Sequence, residues 1–118
     1  MAISATAKNT GVSVKKMVPI IDLVRGRMVN DALTVLDFMQ SPAAHQIAKI
    51  VRSASANAEN ELMSQQARLR IVEIYANAGP KTLRFRARAR GRGTKIIRRN
   101  SHVTVVVDEG EELSLIHI

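Results

Sequence analysis

The 118-residue sequence contains no cysteine and no tryptophan, and its aromatic side chains are limited to Phe38, Tyr75 and Phe85. Without cysteine there is no disulfide staple, thiolate zinc site or thiol nucleophile, and the chain fits a reducing compartment. With 3% aromatics the core must be aliphatic. Nucleic-acid binders that stack successive bases on several exposed rings are disfavoured for the same reason. No stretch approaches the ~20 apolar residues of a membrane helix. The start, Met1 to Lys8, lacks the charged opening and apolar run of a secretory signal. The expectation is a chain with no membrane span. Acids are also missing from one long segment: residues 81–102 contain none.

That gap decides how the charge is read. The net charge is +8, and nine of the 18 basic residues lie in the acid-free segment: Lys81, Arg84, Arg86, Arg88, Arg90, Arg92, Lys95, Arg98 and Arg99. The other nine face all 10 acids, so the whole excess belongs to one segment. An even spread would serve solubility, whereas a concentrated one is the footprint of a polyanion partner. Length and a hydrophobic content of 46% predict one small domain over 1–112.

Ile3 to Asn9 reads as a short extended segment. Val14, Met17, Val18, Ile21 and Val24 recur at helical spacing, with Gly26 as the stop. Pro19 lies inside that run and predicts either a kink or a helix that begins near Val18, since proline removes a hydrogen bond and crowds the preceding turn. Asn30 reads as the N-cap of a second helix carrying Leu33, Leu36 and Met39 and ending near Gln40. Ser41-Pro42 then opens a third, with serine as cap and proline in the first turn. Its stripe runs through Ala43, Ile47, Ile50, Val51, Ala54, Ala58 and Leu62. A polar loop over 63–67 leads to a strand from Arg68 to Ala76. Gly79-Pro80 interrupts it, and His102 to Val107 is the last strand. The fold class predicted is α+β: three helices packed on a small antiparallel sheet with a long protruding β-hairpin.

The hairpin is the arginine segment, about 81–100. Arg84, Arg86, Arg88, Arg90 and Arg92 alternate with Phe85, Ala87, Ala89, Gly91 and Gly93. Period two places five guanidinium groups on one face of a strand, while a helix would scatter them. With roughly 11 residues per arm the hairpin would reach ~35 Å. It has little apolar surface of its own, so its order is expected to come from a partner that supplies negative charge.

The order Ser13-Val-Lys-Lys16, Asp22-Leu-Val-Arg-Gly26, Ala32-Leu33, Ser53-Ala-Ser-Ala-Asn-Ala58, Glu73-Ile-Tyr75, Gly79-Pro80, Arg84-Phe-Arg86, Arg88-Ala-Arg-Gly-Arg92 and Ser101-His-Val-Thr-Val-Val106 resembles the bacterial-type large-subunit ribosomal protein L-twenty-two family. The resemblance implies a structural constituent of the large ribosomal subunit with no catalytic activity, cofactor or metal. It implies that Lys81, Arg84, Arg86, Arg88, Arg90, Arg92, Lys95, Arg98 and Arg99 contact large-subunit ribosomal RNA, with Ser13, Lys15 and Lys16 at the family's first-helix RNA contact. The tip residues Ala87, Arg88, Ala89, Arg90, Gly91 and Arg92 would line the nascent-peptide exit tunnel. Implied partners are that RNA, neighbouring ribosomal proteins and the nascent polypeptide. The implied location is the cytoplasmic ribosome, with an organellar one left open. The chain departs from the family pattern at Val14 and Ala87, where proline is usual, and at Pro19, where it is not. Residues 113–118 have no counterpart in the family and read as a disordered or non-native tail.

Other functional readings are weaker. His45, His102 and His117 lack metal-ligand spacing, and Asp108, Glu109, Glu111 and Glu112 read as a solvated acidic run. Arg90-Gly-Arg-Gly93 lacks the strand and helix context of a nucleotide fingerprint. The alternative from another class is a nonspecific nucleic-acid-binding architectural protein. Such proteins often wedge apolar side chains between bases, and this hairpin tip offers alanine and glycine instead.

Overall fold

The structure is a computed structural model that describes residues 2–63, 65–87, 91 and 93–109. Its elements are β1 (Ile3–Ala7), α1 (Val14–Val24), α2 (Val29–Phe38), α3 (Pro42–Leu62), a short 3-10 turn (Gln66–Arg68), β2 (Leu69–Ala78), β3 (Thr82–Ala87), β4 (Gly93–Arg98) and β5 (Ser101–Glu109). The α+β class is as expected, with three helices and a three-stranded antiparallel sheet ordered β1-β5-β2.

The last strand in sequence is thus the central one. β5 alternates buried Ser101, Val103, Val105 and Val107 with half-buried His102, Thr104, Val106 and Asp108, the period-two signature of a strand covered on one face. α3 packs over β1 and β5, α1 packs over β2, and α2 lies against α3. The core is aliphatic, as the shortage of aromatics requires: Met17, Ile21, Leu36, Ile47, Leu69 and Ile71 are its largest fully buried side chains. Along α3 the small residues Ala44, Ala48, Ala54 and Ala58 are all buried, which allows close approach of the backbones on either side. The outer edge of β2 is not left open. Ile71 N–H donates to the Arg27 carbonyl at 3.0 Å, and Met28 forms an isolated bridge with Arg70.

One helix start differs from the sequence reading, and for α1 the structure excludes one of the two alternatives. α1 begins at Val14 and runs as one α-helix through Pro19 to Val24, with the Lys16 and Met17 amides donating to the Ser13 carbonyl. It does not wait until Val18. Pro19 is tolerated because Pro19 and Lys15, the residue whose carbonyl the missing N–H would have served, both lie on the exposed face, where water can solvate that carbonyl. α2 begins at Val29 with Met28, not Asn30, as its N-cap. Val29 is fully buried, and its burial draws the helix start back two residues. The Asn30 side chain is used elsewhere, accepting a hydrogen bond from Gln66 Nε2 at 2.7 Å. α2 also ends at Phe38, short of Gln40.

β3 and β4 form a separate two-stranded antiparallel ribbon, paired from Thr82↔Arg98 to Ala87↔Gly93. It follows directly from the β2–β5 pair, which ends at Ala78↔Ser101, and Gly79 N–H donating to the Asn100 carbonyl at 2.9 Å joins the two. Among the described residues six pair in each arm; the expected length of roughly 11 per arm runs on over the sequence positions of Arg88, Ala89, Arg90 and Arg92, which lie outside them. The tail at 113–118 lies outside them as well.

Candidate nucleic-acid interface

The root of the ribbon is held by a short segment far away in sequence. Asn9 adopts a left-handed backbone (φ 57°) and Gly11 another (φ 79°), so the chain turns sharply between β1 and α1. That turn is bonded to the start of β5. Gly11 N–H donates to Asn100 Oδ1 at 2.7 Å, Asn100 Nδ2 donates to Asn9 Oδ1 at 3.2 Å, and Asn9 N–H donates to His102 Nδ1 at 3.1 Å. Ser101, fully buried, donates its hydroxyl proton to the Val12 carbonyl at 2.6 Å. Thr10 must therefore be the donor in the 2.8 Å contact between its hydroxyl and that of Ser101, because a hydroxyl has only one proton to give. The Thr10 N–H completes the staple by donating to the Ser101 carbonyl at 3.1 Å.

The staple decides where α1 starts. It sets Ser13 beside the ribbon, so that five of the sequence-derived contact residues from three separate parts of the chain meet there. One open groove of about 570 Å³ is lined by Ser13, Lys15, Lys81 and Arg99 among others. A second, of about 550 Å³, is lined by Ser13, Lys16 and Arg99 and by the first residues of α3. Lys15, Lys16, Lys81 and Arg99 are all exposed. Among the described residues no acid lines either groove, and the ion pairs lie elsewhere, at Asp22–Arg25 (2.7 Å) and Asp37–Arg52 (2.9 Å). Uncompensated cations around a concave surface, with the positive end of the α1 dipole beside them, favour a bound anion.

Further along the ribbon, the register pairs Arg84 with Ile96, Arg86 with Thr94, Lys95 with Phe85 and Arg98 with Thr82. Arg84, Arg86 and Arg98 hold positions of one parity in the ladder and Lys95 the other, so the described cations do not all share one register face. Of the expected tip residues, Ala87 closes the ladder opposite Gly93, and Gly91 has φ 71°, the left-handed conformation that glycine adopts without strain. Arg88, Ala89, Arg90 and Arg92 lie outside the described residues.

With this geometry in place, comparison with known proteins is decisive. The profile of the family described as ribosomal protein L22p/L17e matches residues 5–108. The chain belongs to that family. It is 46% identical over 107 residues to a large ribosomal subunit protein uL22 of Dehalococcoides mccartyi, covering 91% of this chain and 98% of that protein. It is 50% identical over 109 residues to the uL22 of Clostridioides difficile strain 630, covering 92% and 98%. The uL22 of Herpetosiphon aurantiacus is 41% identical over 113 residues, covering 96% and 100%. The L22p/L17e family is a structural, non-enzymatic component of the ribosome. Among the described residues there is no cluster of acids and histidines able to hold a metal ion, and no helix is long and apolar enough to cross a membrane.

Reading the sequence missed the staple. Asn9, Thr10 and Asn100 carry no charge and sit at no periodic position. The available signals were the turn-prone Asn9-Thr-Gly11 and the Ser101-His102 pair directly after the basic run. Ser41, Pro42 and Ile97, which also line the second groove, were read only as a helix start and a strand residue.

Proposed function

We infer that this chain is a structural constituent of the large ribosomal subunit that binds large-subunit ribosomal RNA and supports assembly of the subunit. The ribbon β3–β4 and its root form the RNA contact. The observation that carries this reading is the meeting of Ser13, Lys15, Lys16, Lys81 and Arg99 at the root of an acid-free ribbon, in a chain of the L22p/L17e family. Arginine forks pair with phosphate through two parallel hydrogen bonds, and A-form RNA presents its backbone and hides its major-groove edges. Contact at Lys81, Arg84, Arg86, Arg88, Arg90, Arg92, Lys95, Arg98 and Arg99 is therefore mainly with phosphates and reads shape more than sequence.

The tip, Ala87 to Arg92, lines the peptide exit tunnel and meets the nascent polypeptide, and the globular part touches neighbouring ribosomal proteins. The particle is a cytoplasmic ribosome. The test is sedimentation of the native protein through a high-salt gradient. Co-migration with the large subunit is expected. Release as free protein, or movement with DNA, would favour the architectural alternative. A photoreactive residue in place of Arg90 should crosslink to a stalled nascent chain, and the absence of any such crosslink in assembled particles removes the tunnel assignment.

A further inference from the structure

The groove between α1, α3 and β4 has a composition unlike that of a phosphate shelf. Its polar lining includes Ser13, Lys16 and Arg99. Its apolar lining is Val12, with Pro42 and Ala43 at the start of α3, and Ile97 on β4, which is 45% exposed. α1 and α3 both begin at this groove, so both helix dipoles present their positive ends to it. Its caps, Ser13 and Ser41, make no side-chain capping hydrogen bond within their own helices.

We propose that this groove takes a single unstacked nucleotide of the RNA, with its phosphate at Ser13, Lys16 and Arg99 and its base against Pro42, Ala43 and Ile97. The proposal rests on the RNA-binding reading above and specifies it. Three features favour a nucleotide over its alternatives. A volume of about 550 Å³ lies within the ~300–1,000 Å³ of sites that enclose a small molecule, and it is far too small for a duplex. A lining that combines cations with apolar surface matches the two ends of a nucleotide, whereas a bare phosphate would leave Ile97 and Pro42 unused. Unpaired nucleotides in loops and bulges are also the parts of RNA that proteins can read by their bases. The groove would then supply a local sequence or structure preference that the arginine ribbon cannot.

The test uses the full chain and intact large-subunit ribosomal RNA. Ser41→Trp fills the groove and Ile97→Ala removes part of its apolar lining, while neither alters a cation. Each is expected to lower RNA affinity roughly tenfold, in line with the loss of one base contact. Since Ser41 contributes no side-chain cap and Ile97 is half exposed, both variants should fold, and circular dichroism checks this. If only one folds, that one decides. In parallel, adenosine 5′-monophosphate and inorganic phosphate are titrated against labelled protein. The nucleotide should shift the Ala43 and Ile97 amides in addition to those near Ser13 and Arg99, and phosphate should shift only the latter. Unchanged RNA affinity in the folded variants overturns the proposal, as does a nucleotide response identical to that of phosphate. Lys16→Ala and Arg99→Ala separate the two readings: if these also leave RNA affinity unchanged, the RNA-binding assignment of the root itself fails.

Discussion

Gly79 and His102 face each other across the root of the ribbon so closely that a Cβ added to Gly79 would lie 3.2 Å from Cε1 of His102 and 3.4 Å from the Asn100 carbonyl carbon. Neither neighbour is free to move. Asn100 is held by the Gly79 N–H, and the His102 ring accepts the Asn9 N–H at Nδ1. Gly79 therefore permits the strand pair and the β1–α1 turn to meet at one point. That requirement is steric, since Gly79 is not among the residues with positive φ.

Gly79→Ala should accordingly break or lengthen one of those two hydrogen bonds and destabilise the protein by ~1 kcal/mol, the usual worth of one such bond. Thermal unfolding measures the loss, and the Asn9 amide resonance reports whether the histidine contact is the one that yields. An unchanged melting temperature with an unmoved Asn9 amide would show that the root has more room than the distances imply.

Binding to large-subunit RNA should fall steeply with salt, because each phosphate neutralised releases counterions. By analogy with duplex DNA, six or more contacts lower affinity ~10³-fold or more between 50 and 200 mM salt. Replacing Lys81 or Arg99 by alanine should weaken binding to all such RNAs alike and reduce the salt slope by about one. A flat salt response would sink the phosphate account.

These cations were legible in the sequence because charge clustering survives folding unchanged: nine basic residues without an acid make a polycationic segment that suits a polyanion partner. α3 was legible for a similar reason, since Ser41-Pro42 and a long apolar stripe agree on one element. The meeting of Ser13 with Arg99 was not. It depends on Asn9, Thr10 and Asn100, whose hydrogen bonds span some 90 residues and leave no periodic trace. The start of α2 was misplaced because capping preference favours Asn30, while burial of Val29 outweighs a cap worth ~1 kcal/mol.

Ser55 is the one buried side chain among the described residues whose polar atom has no hydrogen-bond partner; it is 1% exposed on α3 among buried alanines. A buried hydroxyl without a partner forfeits ~1–3 kcal/mol of hydration. Ser55→Ala removes that penalty, leaves almost no cavity and improves helix propensity. It should stabilise the protein by ~1 kcal/mol, read as a rise of several degrees in melting temperature. A loss of stability would mean that the hydroxyl is bonded, for instance to a buried water.

The ribbon should be the least protected part of the described sheet structure when RNA is absent. β5 has a hydrogen-bonded neighbour on each side and a face covered by α3, whereas β3 and β4 have only each other. A lone two-stranded ribbon is marginal in water, and ordering each residue costs ~1–2 kcal/mol that apolar burial must offset. The sequence of this segment carries nine cations and no acid, so like charges add repulsion. RNA reverses the balance by pairing with those charges. Amide hydrogen exchange on free protein should therefore be fast over Thr82–Ala87 and Gly93–Arg98 and slow at Val103, Val105 and Ile74, with the ribbon becoming protected once RNA is bound. Deleting residues 84–95 should leave the Val103–Val107 amides protected, because the core they join is built from α1, α2, α3 and the three-stranded sheet. Equal protection of ribbon and core without RNA would mean that the ribbon supports itself and that RNA only docks onto a preformed arm.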